Sequence, residues 1–167
     1  MRLDVGCGGD PKGDVNIDLY WGESPHTARY IDPRGIKNFV IADAHHLPFR
    51  DDCFTSIVCD NVLEHLEKPW EALKEFSRVA GEALIIVPNN PVLREREEHL
   101  YTWTPVSLRN LLSRFYGAVD VYAYTRMGDV KRSRLFKLCL RLPVLGKPLL
   151  RWLSRWTALE IVAKCRR

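Results

Sequence analysis

The nine residues LDVGCGGDP at positions 3–11 constrain the fold of this chain more than any other stretch. A β-capable run breaks at once into glycines, and a strand ending in Gly6, Gly8 and Gly9 lacks the side chains that would hold a ligand off the backbone. Its amides can then receive a polar group, as at the carboxyl ends of strands in open parallel sheets. Four more short apolar runs follow, at Val15–Leu19, Asn38–Ala42, Phe54–Cys59 and Glu82–Val87, the last expected to stop at Pro88. Such runs suit strands buried on both faces.

Between the fourth and fifth runs, Pro69–Val79 places Trp70, Leu73, Phe76 and Val79 on one face and Glu71, Lys74, Glu75 and Arg78 on the other, which predicts a helix. Thr104 and Pro105 supply the cap and first turn of a second helix, with Leu108, Leu111, Leu112 and Phe115 as its apolar stripe and Gly117 as its end. Val119–Tyr124 alternates like a strand, and Ala158–Ala163 is expected to form the last one. Strands alternating with helices imply an α/β fold with a mostly parallel, doubly wound, Rossmann-like sheet. At 167 residues, without repeats or a low-complexity linker, residues 1–167 are expected to form a single domain.

Charge divides unevenly along the chain. Residues 1–100 hold 11 Lys/Arg and 18 Asp/Glu, whereas residues 101–167 hold 14 and 3, so an anionic partner is expected at the second part. Residues 126–157 read as a basic insertion of two amphipathic helices before the last strand, with Leu149, Trp152, Leu153 and Trp156 at helical spacing beside Arg151 and Arg155. Three partners suit it: a sheet face or second subunit in a homodimer, a membrane surface engaged through residues 131–156 with an anionic amphiphile, or, less favoured, nucleic acid. No run reaches the roughly 20 apolar residues of a membrane span and no signal-type leader is visible, so a cytosolic location is expected, peripheral at a membrane if the insertion docks there.

The glycine pattern excludes some chemistries. Pro11 stands where the third glycine of a dinucleotide fingerprint belongs, and Asp18 follows Gly6 by 12 residues rather than the ~20 from fingerprint to acid, which disfavours a nicotinamide oxidoreductase. A phosphate loop ending in Gly-Lys-Ser/Thr is absent. A carboxylate at the end of the second strand can accept both hydroxyls of a ribose, so a nucleoside without a triphosphate fits best. The five cysteines form no C-x-x-C pair, and His45, His46, Cys53, Cys59 and His65 show no recognised ligand spacing, so neither a disulfide framework nor a metal site is expected.

The ordered set LDVGCG, NIDL, IADAHHLPFRDDCFTSIVCDNVLEHL, LIIVPN and HLYTWTPVSLRNLL, covering about residues 1–125, with ALEIVAK as a final strand, resembles the class I S-adenosyl-L-methionine-dependent methyltransferases, in particular the small-molecule type. The resemblance implies a seven-stranded sheet and S-adenosyl-L-methionine as cofactor. It places Asp4, Gly6, Cys7 and Gly8 around the methionine part, and Asp18 with Leu19 at the ribose. Asp43 and Ala44 fall at the adenine with His45 and Leu47 close by, and Cys59, Asp60 and Asn61 beside the methionyl group. Against the family's pattern, the link between the first two strands is short and residues 1–2 are expected to hold no helix before the first strand.

Methyl transfer from a sulfonium is an in-line displacement that depends mostly on alignment, and a base helps where the acceptor is a hydroxyl or carbon acid. His65, four residues after Asn61 and expected on the same side of a helical turn, is one candidate catalytic base, and His99, next to Tyr101 beyond the fifth strand, is the other. The activity expected is methyl transfer to a small or lipid-like, anionic acceptor. The rivals are an RNA methyltransferase and a non-catalytic nucleotide-binding or membrane-docking protein of the same fold.

Overall fold

The computed structural model describes residues 1–24, 27–89, 99–124 and 160–167, and the basic insertion expected at 126–157 lies outside them. The strands are β1 (Arg2–Val5), β2 (Val15–Asp18), β3 (Gly22–Ser24), β4 (Thr27–Ile31), β5 (Phe39–Ile41), β6 (Phe54–Asp60), β7 (Ala80–Pro88), β8 (Ala118–Tyr124) and β9 (Glu160–Arg166). The helices are α1 (Pro69–Val79) and α2 (Pro105–Leu112), with short 3-10 turns at Pro33–Gly35 and Leu63–His65. Seven strands form one sheet in the order β5-β2-β1-β6-β7-β9-β8, parallel except that β9 runs antiparallel to both neighbours. The order turns back at β1, so the tips of β1 and β6 flank the crevice where a ligand binds in such sheets.

The α1 boundaries match the apolar periodicity, and Ala72, Leu73, Phe76 and Val79 are buried on its inner face, whereas Trp70, expected on that face, is exposed. The α2 helix opens with a reciprocal capping box between Thr104 and Ser107. Both helices pack on the face that carries Leu3, Val5, Ile57, Cys59, Ala83 and Ile85, in one continuous core. Three expectations shift. Pro88 does not end the fifth run early: β7 extends through it, opposite Glu160. The last strand is β9, starting at Glu160 rather than Ala158 and running to Arg166. A two-stranded antiparallel hairpin, β3–β4, stands after β2, where the sequence suggests no strand.

The opposite face of β1 and β2 is covered differently. Asp4 and Asn16 are cross-strand neighbours there, 2% and 1% exposed, and both are polar. No helix fits between β1 and β2, and the connecting loop lies against them instead. Asp4 accepts from the Lys12 amide at 2.7 Å; the Asn16 carboxamide accepts from Gly13 N at 3.0 Å and donates to Gly13 O at 3.3 Å and Lys37 O at 2.8 Å. Gly13 is pressed so close that a Cβ would lie 2.5 Å from Val15 O and 2.7 Å from Asp4 N. Further along, Cys7, Ile31 and Ile36, with Phe39 packed on them, form a second small core under the hairpin.

Residues 42–53 cross from β5 to β6 and are pinned to α1 by Arg78. Its guanidinium donates to both Glu75 oxygens at 2.8 and 2.7 Å, to Asp51 at 2.8 Å, to Phe49 O at 2.8 Å and to Leu47 O at 3.1 Å. Glu75 in turn accepts from the Leu47 amide at 2.9 Å.

Two predictions follow from these tethers. Asn16→Ala orphans Gly13 N and Lys37 O and is expected to cost about 2–4 kcal/mol, measured by urea unfolding. The Arg78 guanidinium holds the Glu75 carboxyl below its ordinary 4.5. Its stabilising effect is therefore complete above that value and is lost as pH falls through the lower folded value. Stability measured from pH 6 downward should fall less steeply in Glu75→Gln than in the wild type.

Candidate functional site

At the tip of β1 the chain turns through Gly6 at φ +68° and Gly8 at φ +52°, conformations that favour glycine. The two glycines do different work. A Cβ on Gly6 would sit 2.3 Å from Val62 Cγ2, so this position lets the β6 tip close onto β1. Over Gly8 and Gly9 no heavy atom lies within 4 Å of such a Cβ, and that space is open to a ligand.

Asp18 ends β2 directly beside this opening. Its Oδ2 accepts from Gly8 N at 2.9 Å and its Oδ1 from Tyr20 N at 3.0 Å, so the carboxylate is fixed while half of its four lone-pair positions remain for a ligand. Leu19 follows it, exposed. Cys7 turns away: its side chain belongs to the core under the hairpin, and burial pushes its thiol up to about 12, so only its backbone faces the opening. Asp4 is buried beneath the turn, and desolvation raises its carboxyl above the usual range.

Lys12, which sequence reasoning passed over, spans the crevice. Its Nζ donates to Asp60 Oδ2 at 2.6 Å across the tips of β1 and β6, and Asp60 Oδ1 accepts from Asn61 Nδ2 at 2.7 Å. Asn61 itself sits at φ +55°, a strained conformation for a residue other than glycine. The lysine is placed by its own amide on Asp4, a tether visible only once the loop folds onto β1.

On the other flank, Asp43 accepts from His45 N at 2.9 Å and contacts His45 Nδ1 at 2.7 Å. Burial alone would raise the Asp43 carboxyl, but the hydrogen bonds and charge of His45 outweigh it and hold it low. Ala44 and Leu47 are buried, and His45 Nε2 is buried without a hydrogen-bond partner. Asp43, Ala44 and His45 thus form an ordered corner next to β2, fastened at Leu47 by the Glu75–Arg78 pair.

His65 is not aligned with Asn61 on a helical turn as expected. Asn61 is left-handed, and Leu63–His65 forms a 3-10 turn. That turn brings His65 against His99, ring centroids 4.9 Å apart and nearly perpendicular. The segment after His99 is held by Leu100 N and Tyr101 N donating to Glu64 O at 2.9 and 3.2 Å, and by Tyr101 OH donating to Glu67 O at 2.8 Å. Cys59 is fully buried under this corner, its thiol pushed well up by burial. Glu64, unremarked in the sequence, is 1% exposed with neither carboxylate oxygen hydrogen-bonded. Burial pushes its carboxyl up to about 8.

Known proteins share this fold. The family profile described as "Methyltransferase domain" matches residues 15–83. A solved S-adenosylmethionine-dependent methyltransferase of Thermotoga maritima superposes with a TM-score of 0.64, at 12% identity, over 99% of this chain and 82% of its own. The fold is that of the class I S-adenosyl-L-methionine-dependent methyltransferases, and residues 15–83 match their domain profile. The phosphoethanolamine N-methyltransferase 2 of Haemonchus contortus, solved with phosphomonomethylethanolamine and S-adenosylhomocysteine, shares the fold at a TM-score of 0.59 and 13% identity, over 99% of this chain and 48% of that one. An uncharacterized protein of Methanocaldococcus jannaschii is 30% identical over 103 residues, 58% of this chain. The chain spans less than half the length of the curated relatives it matches.

The residues present fit the cofactor of such a methyltransferase. The open ground over Gly8 accepts a ligand at the backbone, Asp18 has capacity for two hydroxyls, and the Asp43 corner lies beyond it for a base. The two glycines separate experimentally. Gly6→Ala must displace Val62 and is expected to destabilise this domain by roughly 2–4 kcal/mol, with part recovered in Gly6→Ala/Val62→Ala. Gly8→Ala carries only the cost of its φ, about 1–2 kcal/mol, but should weaken cofactor binding; thermal unfolding and calorimetry separate the two effects.

Proposed function

We propose that this chain transfers a methyl group from S-adenosyl-L-methionine to a small or amphiphilic, anionic acceptor. The observation that carries the reading is the Asp18 carboxylate, held on Gly8 N and Tyr20 N beside the open glycine turn. In this reading Asp18 accepts the two ribose hydroxyls, and the Asp43–His45 corner flanks the adenine. The ion pair of Lys12 with Asp60 opens to receive the amino-acid end of the cofactor, the ammonium of Lys12 meeting its carboxylate and Asp60 its ammonium. Both charges already sit across one crevice, as a zwitterion requires.

Bound S-adenosyl-L-methionine supplies an electrophilic methyl on a positively charged sulfur. The chain's part is alignment: holding the reactants in line in a water-poor site contributes on the order of 7–11 kcal/mol. The His65–His99 corner at the carboxyl end of β6 is assigned to the acceptor. An anionic acceptor is supported by the surplus of bases in residues 101–167 and by the phosphorylated amine that accompanies the Haemonchus contortus enzyme.

Isothermal calorimetry with S-adenosyl-L-methionine and S-adenosylhomocysteine tests the site. Wild type is expected to bind both, and Asp18→Ala to weaken binding by roughly 100-fold, the scale of two lost hydroxyl bonds to a charged group. Labelled methyl transfer to phosphorylated amines, anionic lipids and RNA then sorts the acceptor. Folded wild-type protein that binds neither cofactor form, or Asp18→Ala with unchanged affinity, overturns the reading.

A further inference from the structure

We propose that Glu64, His65 and His99 form a binding site for a divalent first-row transition cation, zinc being the probe of choice. One ligand atom from each of the three lies within 4.8 Å of the other two, and Glu64 Oε1 is 4.0 Å from His65 Nε2. Tetrahedral zinc bonds of 2.0–2.2 Å put ligand atoms about 3.3 Å apart, so closing on a cation takes movements of roughly an ångström or less per side chain.

The independent observation is Glu64. Its side chain is 1% exposed, and neither oxygen has a hydrogen-bond partner. A buried carboxylate without hydrogen-bond partners is costly, and buried charges are paired or ligate metals. Here the open side of the carboxylate is the side of two imidazoles. Two imidazoles with one carboxylate select zinc and its neighbours; magnesium and calcium prefer shells of oxygen alone.

The backbone prepares the site. Glu64 and His65 sit on the 3-10 turn that follows β6, and Glu64 O accepts from both Leu100 N and Tyr101 N, which fixes the segment next to His99 against that turn. Three protein ligands leave a coordination position open, the pattern of metal sites that act on a substrate rather than merely hold a fold. The two histidines would then act on an acceptor through the cation instead of as free bases.

The test uses the full chain, stripped with chelator and titrated by equilibrium dialysis with zinc and by visible absorption with cobalt. One cation per chain is expected, with a cobalt spectrum of four- or five-coordinate intensity and no competition by millimolar magnesium. His65→Ala, His99→Ala and Glu64→Gln should each weaken binding by roughly tenfold or more, since even outer-shell partners matter on that scale. His45→Ala/His46→Ala, which alters the other histidine pair, should not. Absence of stoichiometric binding to folded wild type overturns the proposal, as does binding that survives His99→Ala and Glu64→Gln or is lost only in the His45/His46 variant. Cation binding is measured without cofactor, so a negative result leaves the cofactor reading standing.

Discussion

Asp4 and Asn16 stand side by side on adjacent parallel strands, on the face where neither α1 nor α2 packs, and hold the Gly6–Asp14 loop by its backbone. In an open α/β sheet a crossover helix would normally bury apolar side chains there. Eight or nine connecting residues cannot make that helix, so hydrogen bonds replace apolar area. The exchange is viable because each of these bonds goes to a main-chain group that has no partner in a helix or strand. The glycine turn, the position of Lys12 and the presentation of Asp18 all depend on it.

The same economy recurs at the Asp43–His45 corner. Arg78 uses its planar fork to tie a residue of its own helix and three points of the 42–53 crossing into one unit. The Asp43–His45 corner is thereby fastened to α1 through Leu47. Positioning from α1 on one side and from the tethered loop on the other leaves the strand tips free to be mostly backbone and carboxylate.

Much of this was legible in the sequence, for an identifiable reason. The apolar periods of α1 and the cap of α2 are local signals, and the acids Asp18 and Asp43 sit where strands end, so the fold class and the places of these two carboxylates could be read directly. What escaped reading was whatever depends on contacts between distant residues. Lys12 looked like a charged loop residue until its amide met Asp4 and its Nζ met Asp60. The β3–β4 strands are too short and polar to announce themselves, and Cys7 appeared to be a turn residue although its thiol fills the core beneath them. The His65 expectation failed because an i, i+4 argument assumes a helix, and Asn61 at φ +55° starts no helix.

Glu64 shows the same limit most sharply. In the run NVLEHL it reads as the charged side of a turn, and no local rule would bury it. The burial is forced by its neighbours: Leu63 belongs to the main core, and the Glu64 carbonyl is the anchor for residues 100 and 101, so the turn is pulled inward as a whole. A polar side chain carried inward by its backbone is tolerated only if something at the destination offsets the desolvation. Among the described residues, two histidines bring ring nitrogens within reach of it, one from the same turn and one from 34 residues further on. That convergence, rather than any residue spacing, is what turns an unremarkable Glu-His pair and a distant histidine into a site with a chemistry of its own.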